Sequence, residues 1–441
     1  MPKSSSRQRR AAQAIPSFRY IPLLITAGGA IAVLAALSYW SGATANLVFI
    51  SGVAAFMALL ALLGLALWWL LLSPLPATQA AARGPSPVAH WLAAGLATIS
   101  GLLFVAGNHW DESWRRLYTS DAAIDDAAWL PNLLFYIGLG LNGLLALGIF
   151  VYTARGTGSV REKLRRDPLL SMLAFAAAVT LLALPFNVVW HGIYGPDLTA
   201  WSPASLLVAA STAFTMVAAA AVQLWLLPRR SAWEIHRLPV TEIHFILLLA
   251  IGVSLLLHMG VGEWELVASP DMAMDGSTPF LQAFLARPEW LYPAIIVAVT
   301  LFFGNVALHA LRRPGAAILV TLAALFFRAL FIFIFQQLDG PFSVTAVGQF
   351  MALIPAAALD MVYVFRIYAA GTPGTRLTAN LFAVTAMMTL GLWLLPRWLA
   401  HPQVDAATIP AMVAATLVAG LWSGWCGAAV GQWLHQAQRR S

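Results

Sequence analysis

Charged residues are scarce in this chain. They make up 10% of its 441 residues, whereas hydrophobic residues make up 60%. A soluble globular protein carries about 25% charged residues, so this composition cannot cover a folded domain with a water-facing surface. The sequence therefore predicts an integral membrane protein whose main partner is the lipid bilayer.

Cysteine is almost absent, since Cys426 is the single one in the chain. One cysteine excludes an intrachain disulfide and a cysteine-based metal cluster. The sequence also has no HExxH or CxxC motif, no two histidines four residues apart, and no phosphate-binding loop, nucleophile elbow or dinucleotide fingerprint. No compact motif names a reaction, and whether the protein is an enzyme stays open.

The N-terminal residues 1–19 lack the short apolar core and the small-residue cleavage site of a secretory signal peptide. They are polar and basic, which predicts a cytoplasmic tail. Residues 434–441 predict a second short cytoplasmic tail. Everything between, residues 20–433, is predicted to be one transmembrane domain, because no stretch is long and polar enough for a soluble one.

Long apolar runs fill this domain. A helix needs about 20 apolar residues to cross the hydrocarbon core of a bilayer, and its backbone polar groups must be paired within the helix. The sequence predicts an all-α, polytopic fold with about twelve transmembrane helices. Their expected positions are 20–40, 46–73, 88–107, 130–154, 168–188, 202–227, 241–260, 289–311, 315–336, 345–368, 377–398 and 406–433.

The charges alternate between the two sides of these helices. Twenty of the 25 Lys and Arg residues fall on the side of the N-terminus, and thirteen of the 18 Asp and Glu residues fall on the other. Basic loops stay cytoplasmic, so both termini are predicted to be cytoplasmic, in a bacterial inner membrane. The net charge of +7 is then explained by the basic cytoplasmic loops that set the membrane topology, and a nucleic-acid partner is not expected.

A recurring pattern marks the outer loops. Trp190 is followed by an acid seven positions later, and the same spacing recurs from Trp114 and Trp264. Prolines near the start of the following helices complete the pattern; they are Pro131, Pro203 and Pro293. These copies predict six related helical hairpins. The alternative is coincidence, since Trp concentrates at membrane interfaces for its own reasons.

Polar side chains gather at the predicted outer ends of these hairpins. The candidates for acid–base catalysis are His109, Asp111, Glu112, His191 and Asp197. The candidate metal ligands are His109, Asp111, His191 and His258, since imidazole and carboxylate suit copper, iron or zinc. The alternative is structural: such residues also cap loops, and an Asp in a loop commonly forms an Asx turn.

Two charged residues, Arg328 and Asp360, lie inside predicted helices. A charge at membrane depth costs about 3 kcal/mol on insertion scales, so each should face the bundle interior and have a partner. Together they predict a proton or solute pathway. The alternative is a structural ion pair, or hydrogen bonds from Asp360 to neighbouring helices.

Three functions follow from these residues. The first is an outward-facing metal-binding or catalytic site, and it ranks first because histidines and carboxylates cluster on one side. The second is a secondary transporter of a small solute or ion that uses Arg328 and Asp360. The third is a scaffold subunit of a larger membrane complex, with other subunits as partners.

Overall fold

The structure is a computed structural model of the full chain. It describes residues 28–29, 58–59, 61–72, 86–117, 130–155, 158–194, 203–226, 234–235, 238–261, 290–339, 344–365, 373–391, 393 and 406–440. These residues are almost entirely helical. Besides short turns, they include a pair of antiparallel two-residue strands, β1 (Glu234–Ile235) and β2 (Leu238–Pro239).

The helices follow the apolar runs closely. They are α1 (Ala61–Leu71), α2 (Pro87–Leu117), α3 (Leu130–Thr153), α4 (Val160–Leu164), α5 (Pro168–Tyr194), α6 (Pro203–Trp225), α7 (Val240–Val261), α8 (Leu291–Leu311), α9 (Ala316–Asp339), α10 (Leu353–Val364), α11 (Pro373–Ala386) and α12 (Ile409–Arg440). A 3₁₀ helix, Val344–Ala352, leads into α10, and a π-helix, Met387–Gly391, follows α11.

Eight of these described helices are long and apolar enough to cross a membrane. They are α2, α3, α5, α6, α7, α8, α9 and α12. Their length and composition confirm the prediction of a helical, multi-pass membrane protein. The twelve spans are not confirmed: nearly all of run 20–40 and much of run 46–73 lie outside the described residues, and α10 and α11 are shorter.

The predicted repeat of six hairpins is likewise not confirmed. Most of the loop tips that define it lie outside the described residues. The prolines do lie in first turns as predicted: α6 begins at Pro203, and Pro131 and Pro293 fall within the first three residues of α3 and α8. A proline is tolerated there because its missing N–H would have no partner in the helix anyway. Packing, however, does not follow hairpins throughout, since α8 packs more extensively against α12 than against α7.

The α8–α12 contact depends on glycines along one face of α12. A methyl group on Gly420 would approach Cγ1 of Val297 in α8 to 2.7 Å, and one on Gly431 would approach the carbonyl oxygen of Val306, also in α8, to 2.7 Å. At Gly427 a methyl group would collide with the carbonyl oxygen of Phe302. Small residues at such positions let two membrane helices approach closely, which is the main source of packing energy in lipid.

Arginine side chains connect the helices at one end of the bundle. We call the end where α2, α5 and α7 finish the predicted outer end, and the end where α3, α6 and α8 finish the predicted inner end. At the predicted inner end, Arg165 donates hydrogen bonds to the carbonyls of Trp69 and Leu70, at 2.7 Å each. Burial, and then the neighbouring Arg161, lower the pKa of Arg165. These bonds fix the end of α1 to the turn between α3 and α5.

Candidate functional site

Three charged or titratable side chains meet inside the bundle towards the predicted outer end. His109 comes from α2, His258 from α7 and Arg328 from α9, and they are 1%, 4% and 2% exposed. The two imidazole rings stack with their centroids 4.5 Å apart. Arg328 Nη1 lies 3.1 Å from His258 Nδ1 and 3.4 Å from His109 Nε2. We call these three residues the His–Arg cluster.

The sequence of α9 explains why Arg328 points into the bundle. Arg328 is the thirteenth residue of a helix that begins at Ala316, which places it about 18 Å along the axis, within the outer half of the span. Phe326 is 61% exposed and therefore covers the lipid side. Phe331 and Phe335 continue the Arg328 face at the spacing of one and two turns. The ring centroid of Phe331 lies 5.9 Å from that of His109. Phe335 stacks on Trp110 with the ring centroids 5.2 Å apart.

The hydrogen bonds determine which ring nitrogens carry protons. His109 Nδ1 lies 2.7 Å from the carbonyl oxygen of Val105, which can only accept, so Nδ1 carries the proton and Nε2 is the acceptor. Arginine can only donate, so His258 Nδ1 also accepts and its proton lies on Nε2. These tautomers are assigned from the hydrogen-bond network. In this arrangement both imidazoles are neutral and both direct a lone pair at one guanidinium nitrogen.

The same geometry bears on the predicted metal site. A metal ion would need the lone pairs of His109 Nε2 and His258 Nδ1, and both now accept from Arg328. Within the described ranges, no group of three or more His, Cys, Asp or Glu residues could hold a metal ion. The structure thus brings together two of the four predicted ligands, with a cation between them.

The other predicted outer residues are only partly described. Asp111 lies on α2 near its outer end and is half-buried. Glu112 and His191 lie on α2 and α5, but their side chains are outside the described part of the structure, as is all of Asp197. Their predicted roles as catalytic groups or ligands stay predictions.

Asp360 lies elsewhere, on α10, where its carboxylate contacts the start of α9. Its Oδ1 accepts from the backbone N–H of Gly315 at 2.8 Å, and its Oδ2 accepts from that of Ile318 at 2.7 Å. Gly315 has φ of +84°, a left-handed conformation that favours glycine. Ile318 and Arg328 are ten residues apart, which is about 15 Å along the helix, so Asp360 and Arg328 do not form an ion pair. Hydrogen bonding of Asp360 to a neighbouring helix is the alternative that the structure bears out.

Several polar contacts at the predicted inner end were not predicted from the sequence. Glu242 pairs with Arg313 at 3.0 Å, and His244 Nε2 lies 2.6 Å from Thr98 Oγ1. His90 meets Asp167 at 3.4 Å. The one sequence signal for the last contact is the Asp-Pro pair that opens α5, because Asp is a preferred N-cap and Pro a preferred first residue.

No protein family matches the chain, and neither the curated proteins nor the solved structures contain a significant match.

Proposed function

We propose that the protein is a secondary transporter of a small solute or ion, and that the His–Arg cluster lies on its transport path. The observation that carries this proposal is the position of Arg328. Arg328 is 2% exposed within an apolar span, and its guanidinium contacts two imidazoles from two other helices. Ionisable groups at membrane depth are costly and typically belong to substrate or proton pathways.

The cluster has the chemistry of a two-state element. Histidine is the side chain that gains or loses a proton most readily near neutral pH. A proton on His109 Nε2 or His258 Nδ1 would occupy a lone pair that now accepts from Arg328, and would place two cations side by side. Proton uptake and the position of the guanidinium are thus linked, which is what coupling of a proton to a solute requires.

The outward-facing metal or catalytic site ranks second, because Arg328 Nη1 now faces the two lone pairs that a metal would need. Metal analysis of the purified protein separates the two proposals. A transporter of this design contains no stoichiometric metal. A content of about one copper, iron or zinc ion per chain, lost in a variant carrying His109→Ala and His191→Ala, would replace the transport proposal with the metal site.

Transport itself is tested in proteoliposomes that contain the full chain and the pH dye pyranine. Salts of sodium, potassium, chloride, phosphate, acetate and glutamate are added one at a time, with empty liposomes as the blank. We expect at least one of them to produce a pH change. Arg328→Met should lower that rate about tenfold or more, because hydrogen bonds to a charged group contribute about 1.5–3 kcal/mol.

The matched control is Phe326→Leu, two residues away on the lipid side of α9, which should leave the rate unchanged. Arg328→Lys keeps the charge but cannot reach both imidazoles with one planar group, so an intermediate rate is expected. Thermal unfolding of each variant checks that the bundle is intact. An unaltered rate in a folded Arg328→Met variant, or no pH change with any salt, contradicts the proposal and favours the scaffold alternative.

A further inference from the structure

A second buried cluster joins three helices at the predicted inner end. His90 lies in the first turn of α2 and is fully buried. Its Nε2 is 3.4 Å from Oδ1 of Asp167, the residue before α5, which is 7% exposed. Its ring stacks on that of Trp225, the last residue of α6, with centroids 4.9 Å apart and planes at 28°.

The backbone determines which nitrogen of His90 faces the acid. His90 Nδ1 lies 2.8 Å from the carbonyl oxygen of Ser86. A carbonyl oxygen only accepts, so Nδ1 carries a proton, and Nε2 is the nitrogen directed at Asp167. Without a proton on one of the two groups, a nitrogen lone pair would face a carboxylate in a buried site, where unpaired polar groups are costly. One more proton in this pair would remove that repulsion.

The surroundings favour that proton on the histidine. Asp167 Oδ1 accepts from the backbone N–H of Leu170 at 3.3 Å, which makes Asp167 the N-cap of α5. The N-terminus of a helix stabilises a negative charge. On the other side, the face of the Trp225 ring attracts a cation. Both neighbours stabilise the charged forms of the pair.

We propose that His90 and Asp167 form a proton-binding site in which His90 is held as an imidazolium. The contact of 3.4 Å is then an ion pair. Neither His90 Nε2 nor Asp167 Oδ2 has a hydrogen-bond partner within the described ranges, so no other polar group competes for them there. Loss of the proton would turn this attraction into repulsion between a lone pair and a carboxylate. One proton thus holds α2, α5 and α6 together at this end.

The other titratable groups near this end have their own contacts. On α7, which packs against α2, Glu242 pairs with Arg313 and His244 contacts Thr98. Next to Asp167, Arg166 donates to the carbonyl of Arg155 beyond α3, at 2.9 Å. Arg165 donates to α1, and Asp360 binds the first turn of α9. Asp167 is the acid that lies against His90 in the described part of these helices.

The test is to count the protons on each imidazole by ¹⁵N NMR. The full chain, labelled at its nine histidines, is measured in nanodiscs at about pH 7, near where free histidine loses its charge. We expect one doubly protonated ring that disappears in His90→Gln. Asp167→Asn is the matched variant, because Asn caps a helix about as well as Asp but has no charge. In it, His90 should lose the second proton while the other rings keep their signals.

Two results would overturn the site. One is a His90 ring with a single N–H in the unmodified chain, including an Nε2 that only accepts from a protonated Asp167. The other is a doubly protonated His90 that persists in Asp167→Asn. If His90→Gln does not fold, the signal lost in Asp167→Asn identifies the ring by itself. The outcome does not depend on transport, so it can hold even if the proposed function fails.

Discussion

Replacing Gly427 with alanine will destabilise the protein by about 3 kcal/mol, the upper part of the usual range for overpacking a well-packed interior. The added methyl group would collide with the carbonyl oxygen of Phe302 and lie 2.9 Å from its carbonyl carbon and Cα. These are backbone atoms of α8, so no side-chain rotation can relieve the clash. The helices α8 and α12 would have to separate along an interface that both bury. Thermal unfolding of the full chain in one detergent measures the effect.

Two other glycines calibrate this result. At Gly140 in α3 an added methyl group meets nothing within 4 Å, so Gly140→Ala should be neutral or stabilising by up to about 1 kcal/mol through helix propensity. At Gly101 in α2 it would meet the Met216 sulfur at 2.6 Å and Cγ2 of Ile251 at 2.8 Å. The methionine is flexible and can move, and both contacts are with side chains, not backbone, so an intermediate loss is expected. If Gly427→Ala unfolds at the same temperature as Gly140→Ala, the close α8–α12 contact is wrong.

The helices themselves could be predicted from the sequence, because lipid imposes a length and a composition on every spanning segment. The depth of Arg328 could also be predicted, since its run of apolar neighbours is unbroken. So could the rough level of His109 and His258, each at the outer end of its run. These are properties of single helices, and they need no knowledge of which helices are neighbours.

The partners of these residues could not be predicted, because side-by-side packing is not encoded in one helix. The sequence pattern placed Arg328 with Asp360, and the structure places it with two histidines from α2 and α7. The sequence shows that α12 has glycines along one face, but it does not show that α8 is the helix that packs against them. The contact between His90 and Asp167 could not be predicted either, because the two residues are more than seventy positions apart in sequence.

Asp360→Ala will destabilise the protein by about 3 kcal/mol, for a reason unrelated to charge pairing. Asp360 is 3% exposed and accepts from the N–H groups of Gly315 and Ile318. Alanine leaves both half-buried donors without this acceptor, and an unsatisfied group costs about 1–3 kcal/mol when it is buried. Because these donors open α9, the helix that carries Arg328, the loss should also loosen the α8–α9 turn. Thermal unfolding and hydrogen exchange at the start of α9 measure both effects.

The Asp360→Asn variant distinguishes two roles of Asp360: capping the start of α9 and coupling a proton to transport. Asn keeps one acceptor and caps helices well, so it should recover most of the stability lost in Asp360→Ala, and the pH-driven flux of the proteoliposomes should persist. A charge-coupling role predicts the opposite pattern, a stable Asp360→Asn protein with no flux. Thr321→Val serves as the control, because the Thr321 hydroxyl is buried in α9 and bonds only within that helix, to the carbonyl oxygen of Ala317 at 3.0 Å. It should cost about 1 kcal/mol or less. A loss in Asp360→Ala no larger than that of Thr321→Val would show that the two amide contacts do not hold α9 in place.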